Sequence, residues 1–181
     1  LYWKSSGWID IDLCKIAWRV PKYFYIGNAY CFHLFPKKTQ LEAMLEKTWS
    51  DHIFPVCVFA PVEEKDFIKI EKILKLLSDW CQNKCVKIEL VINDWGMAGL
   101  IRKKYPNQFL LTLGCLLSKQ RRDTRMNYVN RNDNEFSKEK SQIDAPFYRQ
   151  YLAKHFNITR VSLQNSGIDQ SFFTPDSMIG M

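Results

Sequence analysis

Residues 86–117, with the sequence VKIELVINDWGMAGLIRKKYPNQFLLTLGCLL, decide the fold that this chain can adopt. The β-branched apolar run at 87–92 predicts a buried strand, and Asn93-Asp94-Trp95-Gly96 is a polar turn directly after it. A helix at 95–105 and a second strand at 108–113 are predicted to follow. The stretch therefore predicts a strand–turn–helix–strand unit, in which ligands meet the chain at the carboxyl end of the first strand.

The same alternation of strands and helices extends over most of the chain. Further strands are predicted at 22–27, 53–60 and 158–163, and further helices at 40–49 with Thr39 as cap, at 63–80 and at 145–156. Short connections and near-continuous apolar strands indicate an α/β fold with a parallel sheet. A full eight-fold barrel takes about 250 residues. We therefore expect a parallel-stranded TIM-like barrel that is incomplete or truncated, with an open doubly wound sheet as the alternative.

Length and composition favour one α/β domain over residues 1–181, in which 118–140 form a long polar loop. A chain that is 46% hydrophobic can bury a core without disulfides, so its six cysteines are expected to be mostly reduced. The sequence has no apolar run long enough to span a membrane and no signal peptide, which predicts a cytoplasmic protein without a membrane partner. Because the chain starts at Leu1, it is also consistent with a fragment.

Asn93 and Asp94 are the first candidates for catalysis, because they follow a predicted buried strand. They could bind a metal, hydrogen-bond a substrate or act as a general base. The alternative for Asp94 is that it caps the following helix, since Asp is among the best helix caps.

Cys31, two positions before His33, is a candidate metal ligand, although the pair is an incomplete site and a small buried thiol is the alternative. Cys81 and Cys85, at a predicted helix end, are a weaker metal signal.

A basic cluster lies just beyond the predicted strand at 108–113. Its members are candidate anion-binding residues, because guanidinium groups hold phosphate or carboxylate with two hydrogen bonds; they are Lys119, Arg121, Arg122 and Arg125. A formal charge of +7 permits RNA or an anionic small molecule as partner. Acidic residues in the same loop leave a solvated, self-paired loop as the alternative.

Three segments, taken together and in this order, resemble a known family. They are YIGNAYC at 25–31, ELVINDWG at 89–96 and LGCLLSKQRRDTR at 113–125, and they resemble the collagenase-like peptidase family of unassigned mechanism, peptidase family U thirty-two. The resemblance covers roughly residues 22–165. It implies an α/β barrel and a function as a protease, or as an enzyme or accessory protein for hydroxylation of RNA or of ubiquinone, acting with a partner protein of the same family.

Several relatives bind a four-iron four-sulfur cluster through four cysteines, and the resemblance makes Cys31 the first such ligand. It also matches Asn93, Asp94 and Gly96 to the turn of the family. The chain departs from the family pattern at Cys115, where relatives have Arg, and at Thr124, where they have Pro. No cysteine follows Cys115, so a complete cluster would need cysteines from outside these 181 residues. A non-catalytic binding module is a further alternative.

Overall fold

A computed structural model describes residues 22–118, 142–162 and 179–180. Its centre is a sheet of six parallel strands whose spatial order follows the chain from β1 to β6. The strands are β1 (Tyr23–Gly27), β2 (Phe54–Phe59), β3 (Glu89–Ile92), β4 (Leu110–Leu113), β5 (Arg160–Ser162) and β6 (Ile179–Gly180). The first five confirm the predicted strands, whereas the two-residue β6 was not predicted.

Four α-helices connect these strands, and they are α1 (Lys38–Ser50), α2 (Phe67–Lys84), α3 (Trp95–Lys104) and α4 (Pro146–Phe156). Short 3₁₀ turns at Phe32–Leu34, Glu64–Asp66 and Gln142–Asp144 complete the described connections. None of the helices in the described ranges is long and apolar enough to cross a membrane.

The predicted limits of two helices were wrong for local reasons. Helix α1 begins at Lys38 rather than after Thr39, because the Gln40 side chain accepts a hydrogen bond from the Lys37 N–H at 3.2 Å and fixes an earlier start. Helix α2 begins four residues later than predicted, because the acidic residues ahead of it form a separate 3₁₀ turn. It also ends later than predicted, at Lys84, and is followed by Cys85, whose φ of 54° and ψ of 40° are those of a left-handed cap.

One face of the sheet packs against all four helices. Alternate strand residues such as Ile26, Phe59 and Leu90 are buried with helix residues such as Leu74 in one apolar cluster. Because consecutive parallel strands are joined by right-handed crossovers, a sheet in chain order carries its helices on a single side. The strand residues that alternate with these point to the opposite face, which none of the described helices covers and which we call the helix-free face.

The sheet is strongly curved around its helix-free face. The guanidinium carbon of Arg160 on β5 lies 5.8 Å from the ring centre of Tyr23 on β1. In a flat sheet, four strand spacings would separate these strands by about 19 Å, and side chains standing perpendicular to it would stay apart. The contact therefore requires the sheet to curl toward its helix-free side, which makes that face concave.

The sheet is open in the described part of the chain, where β1 and β6 do not pair with each other. The open sheet of the alternative prediction is thus observed, but the strand order shows no reversal such as a doubly wound sheet has at its switch point.

Gly27 ends β1 with a φ of +106°, and a side chain there would collide with the Val58 carbonyl oxygen. The close approach of β1 to β2 at this edge therefore requires glycine.

Candidate functional site

Asn93 is buried where β3 ends, and its amide links three neighbouring strand ends. Its Nδ2 donates to the Phe59 carbonyl oxygen at 2.9 Å, and its Oδ1 accepts from the Leu116 N–H at 3.1 Å. Gly114 approaches so closely that a Cβ there would overlap the Asn93 side chain. The amide therefore holds the carboxyl ends of β2, β3 and β4 together, and its predicted catalytic role stays a prediction.

Asp94 caps helix α3. Its Oδ1 accepts from the Gly96 N–H at 2.6 Å and the Met97 N–H at 3.4 Å. Its Oδ2 accepts from the Val62 N–H at 3.2 Å, which attaches the loop after β2. These contacts agree with the helix-cap alternative, because backbone donors occupy both oxygens. A catalytic role for Asp94 remains a prediction, and such a role would have to use an already engaged carboxylate.

The half-buried Cys31 lies in a tight turn after β1. The Asn28 side chain forms this turn by accepting hydrogen bonds from the Tyr30 N–H at 2.8 Å and the Cys31 N–H at 2.9 Å. The Tyr30 hydroxyl reaches across the edge to 3.8 Å from the Cys115 sulfur. Cys115 lies in the turn after β4 and is only partly buried.

No three His, Cys, Asp or Glu side chains within residues 22–118 and 142–162 lie close enough together to hold a metal ion. The described residues therefore do not fit a four-cysteine iron–sulfur cluster at Cys31. Cys81 is buried in α2, and Cys85 forms the left-handed cap at its end, so this pair has a structural explanation. Burial strongly raises the pKa of the Cys57 thiol, as expected of an unreactive core cysteine.

The predicted anion-binding residues Lys119, Arg121, Arg122 and Arg125 lie outside the described residues. The same holds for nearly all of the predicted loop at 118–140, of which the structure describes only Ser118. Their role as phosphate or carboxylate ligands stays a prediction.

A polar cluster on the helix-free face was not foreseen from the sequence. Glu89 is buried, accepts a hydrogen bond from the Thr112 hydroxyl at 2.6 Å and forms an ion pair with Nη1 of Arg160. Thr112 and Arg160 are partners in strand register, so both point to the same side of the sheet as Glu89. A charged pair inside an otherwise apolar sheet carries a large desolvation penalty, which makes it a candidate functional feature.

Two further observations concern this cluster of Glu89, Thr112 and Arg160. The Arg160 Nε is buried and has no hydrogen-bond partner in the described structure, an arrangement that costs about 1–3 kcal/mol. The pKa of Tyr25 is raised, mainly because the phenol is partly buried and secondarily because of the negative charge of Glu89, while Arg160 acts in the opposite direction. The sequence signal for this site was a glutamate at the start of the apolar run ELVI, whereas nothing in the sequence paired it with Arg160.

Helices α3 and α4 meet outside the sheet in a cluster of aromatic and basic side chains, which we call the α3–α4 surface. The Phe156 ring centre lies 5.4 Å from Trp95 and 6.0 Å from Tyr151, and the Arg102 guanidinium carbon lies 5.9 Å from it. Trp95 is 38% exposed and Tyr151 is 46% exposed. The surface also includes His155, whose ring centre lies 4.6 Å from that of Tyr151.

Neither helix of the α3–α4 surface contains an acidic residue. Together they carry five basic side chains, and these are Arg102, Lys103, Lys104, Arg149 and Lys154. Lys104 pairs with Glu71 of α2 at 2.6 Å, while the other four have no carboxylate partner within the described ranges. The two helices therefore combine exposed rings with positive charge that no described carboxylate pairs, and Arg102 places one such charge on the α3–α4 surface itself.

Comparison with known proteins adds no relative to this description. The chain matches no family model, no curated protein and no solved structure.

Proposed function

We propose that the protein binds single-stranded RNA on the α3–α4 surface, as an enzyme or accessory protein in a hydroxylation-type modification. The observation that carries the proposal is the combination of exposed Trp95 and Tyr151 rings with basic side chains on two helices that have no acidic residue. The modification chemistry follows the resemblance to peptidase family U thirty-two, which supports this part of the proposal by sequence pattern alone.

The aromatic part of the surface suits unpaired bases. Stacking of a base on an aromatic ring contributes about 1–3 kcal/mol, and it tolerates any base because every base has a π-face. Trp95 and Tyr151 both contact the Phe156 ring, which limits the entropy that either would lose when a base stacks on it.

The basic part of the surface suits the phosphate backbone. Arg102 and its neighbour Lys103 are exposed in the last turn of α3, and Lys154 is exposed in the last turn of α4. Each phosphate contact releases condensed counterions, so the affinity for RNA should fall steeply with salt. The formal charge of +7 adds a long-range attraction for the same partner.

We also infer that the curved sheet forms part of the wall of an α/β barrel, the fold that the family resemblance implies. Strands in chain order with helices on one side are the arrangement of a barrel wall. The contact between Arg160 and Tyr23 across the helix-free face supports the same inference, because it requires strong curvature.

Fluorescence anisotropy with a labelled single-stranded RNA oligonucleotide tests the proposal on the full chain. We expect Trp95→Ala to weaken binding by about tenfold, which corresponds to one lost stacking contact. Trp49→Ala is the matched control, because Trp49 is 41% exposed on α1, away from the α3–α4 surface. Equal effects of the two substitutions would contradict the proposed surface.

The salt dependence gives an independent measurement. Arg102→Gln should reduce the slope of log affinity against log salt by about one, whereas Lys75→Gln on the exposed side of α2 should leave it unchanged. An RNA affinity that does not change with salt concentration would contradict the proposal that the protein binds RNA through its phosphates.

A non-catalytic RNA-binding module is the second candidate, and the contacts of Asp94 favour it. Both carboxylate oxygens of Asp94 accept backbone hydrogen bonds and so serve the fold. Mass spectrometry of nucleosides in RNA from cells producing the wild type or Asp94→Asn separates the two. If the protein is an enzyme that uses Asp94, the wild-type sample should contain a hydroxylated nucleoside that the Asp94→Asn sample lacks. If it is a binding module, the two samples should contain the same nucleosides.

A further inference from the structure

We propose that the concave, helix-free face of the sheet binds a small monocarboxylate with an apolar body, held by the guanidinium group of Arg160. This site is separate from the α3–α4 surface, since it lies on the opposite side of the sheet from the helices. It therefore does not depend on RNA binding.

The hydrogen-bonding state of Arg160 gives the first argument. Nη1 is engaged by Glu89, while Nε is buried without a partner among the described residues. A guanidinium presents Nε and Nη2 along one edge, and this edge matches the two oxygens of a carboxylate. A carboxylate there would supply the acceptor that Nε lacks. The Arg160 side chain is 21% exposed although Nε itself is buried, so the carboxylate must displace the groups that cover this edge.

The charge of the cluster selects the kind of anion. Glu89 is buried beside Arg160, and the Thr112 hydroxyl donates to it, so the cluster already balances one positive charge with one negative charge. A singly charged carboxylate can use the free guanidinium edge at a modest cost in repulsion. A doubly charged phosphate would feel more repulsion from Glu89 and more attraction to Arg160 in the same proportion, but it would lose far more hydration in this largely buried site.

The surroundings of Arg160 select the rest of the ligand. Leu110 is the register partner of Glu89 and is 44% exposed, and Tyr25, on the same face, is 51% exposed. The Tyr23 ring lies against the guanidinium group. Exposed apolar side chains on the concave side of a sheet gain stability when an apolar ligand covers them. An aromatic or branched aliphatic carboxylate fits both the polar and the apolar part of this face.

Isothermal titration calorimetry of the full chain with benzoate tests the site, and inorganic phosphate serves as the competing anion. We expect benzoate to bind and phosphate to bind more weakly. Arg160→Lys keeps a positive charge for Glu89 but removes the two-donor edge, so benzoate affinity should fall by about tenfold or more. Glu89→Gln keeps an acceptor for the Thr112 hydroxyl and removes the repelling charge, so benzoate affinity should rise severalfold.

Benzoate affinity is expected to fall in Arg160→Lys and to rise in Glu89→Gln. These opposite changes distinguish a binding site from a structural ion pair. Loss of a structural pair would destabilise both variants, as circular dichroism would show, without raising benzoate affinity in Glu89→Gln. Arg102→Lys is the control on the α3–α4 surface and should leave benzoate affinity unchanged.

Three results would overturn the proposal. They are no detectable benzoate binding at about 10 mM, equal affinity in the wild type and Glu89→Gln, or tighter binding of phosphate than of benzoate. If Trp95→Ala weakens RNA binding as expected and benzoate does not bind, the RNA proposal survives and this one fails. The reverse pattern would reject the RNA proposal alone.

Discussion

Replacing Gly114 by alanine should destabilise the protein through Asn93, because the amide of Asn93 holds the ends of three neighbouring strands together. A Cβ at Gly114 would overlap the Asn93 side chain. The amide must then move away from the Phe59 carbonyl oxygen and the Leu116 N–H, to which it is bonded at 2.9 Å and 3.1 Å. The expected damage is therefore the loss of two hydrogen bonds rather than a general effect of the extra methyl group.

The magnitude follows from those two bonds. A buried donor or acceptor left without a partner costs about 1–3 kcal/mol, so Gly114→Ala should lower the free energy of unfolding by about 2–6 kcal/mol. Asn93→Ala should cost a similar amount, because it leaves the same backbone groups unpaired. In the double variant the new methyl group occupies space that the Asn93 side chain has vacated. We therefore expect the double variant to be only slightly less stable than Asn93→Ala alone.

Urea denaturation of the wild type, both single variants and the double variant gives the interaction free energy. A value of about 2 kcal/mol or more would support the reasoning, and costs that add within about 0.5 kcal/mol would refute it. Gly99→Ala is the matched control, since a Cβ at this helical glycine meets no atom within 4 Å. That substitution should stabilise the protein by up to about 1 kcal/mol, because alanine favours the helix.

Three further predictions concern the helix cap, the thiols and the pH dependence of stability. Asp94→Ala should lower the free energy of unfolding by about 1–2 kcal/mol, as measured by urea denaturation, and Asp94→Asn by less, because Asn keeps one accepting oxygen for the α3 cap and loses only the acceptor of the Val62 N–H. Iodoacetamide at pH 8 should label the exposed Cys85 in the folded protein and leave Cys57 unmodified, as mass spectrometry would show, because burial raises the pKa of the Cys57 thiol. Hydrogen bonds from Lys84 and then Trp80 hold the pKa of Glu46 below its ordinary value. The stability from this carboxylate is therefore present above pH 4.5 and lost as pH falls through the lowered pKa, so the wild type should lose more stability than Glu46→Gln between about pH 5 and 3.

The sequence was sufficient for those elements whose local pattern and tertiary role agree. The apolar runs of β2 and β3 are buried, and α4 begins at Pro146, where a missing N–H costs nothing. It was insufficient where a neighbour decided the outcome. Helix α1 begins at Lys38 because the Gln40 side chain bonds the Lys37 N–H, and β6 has only two residues, too few to show a period.

The same distinction applies to the candidate sites. A cap at Asp94 was a predicted alternative, because Asp before a helix is a local signal that the chain itself contains. The position of Asn93 against Gly114 was not predictable, since these residues meet only when β3 and β4 pair. The aromatic contacts of α3 with α4 likewise join residues about 60 positions apart, which no periodicity within either helix reveals.

Glu89 shows why an apolar run can conceal a polar site. In a parallel sheet with helices on one side, half of the residues of each strand point away from the helices. If that second face were also a simple apolar core, Glu89 would destabilise it, because a buried carboxylate without partners is costly. Thr112 and Arg160 come from the next two strands to pair with it, so two neighbouring strands carry side chains that suit a charge on this face. Arg160 Nε then has no hydrogen-bond partner among the described residues, although a purely structural ion pair would be more stable with every donor satisfied. Among the described residues, the helix-free face therefore holds the buried donor that the proposed carboxylate would satisfy.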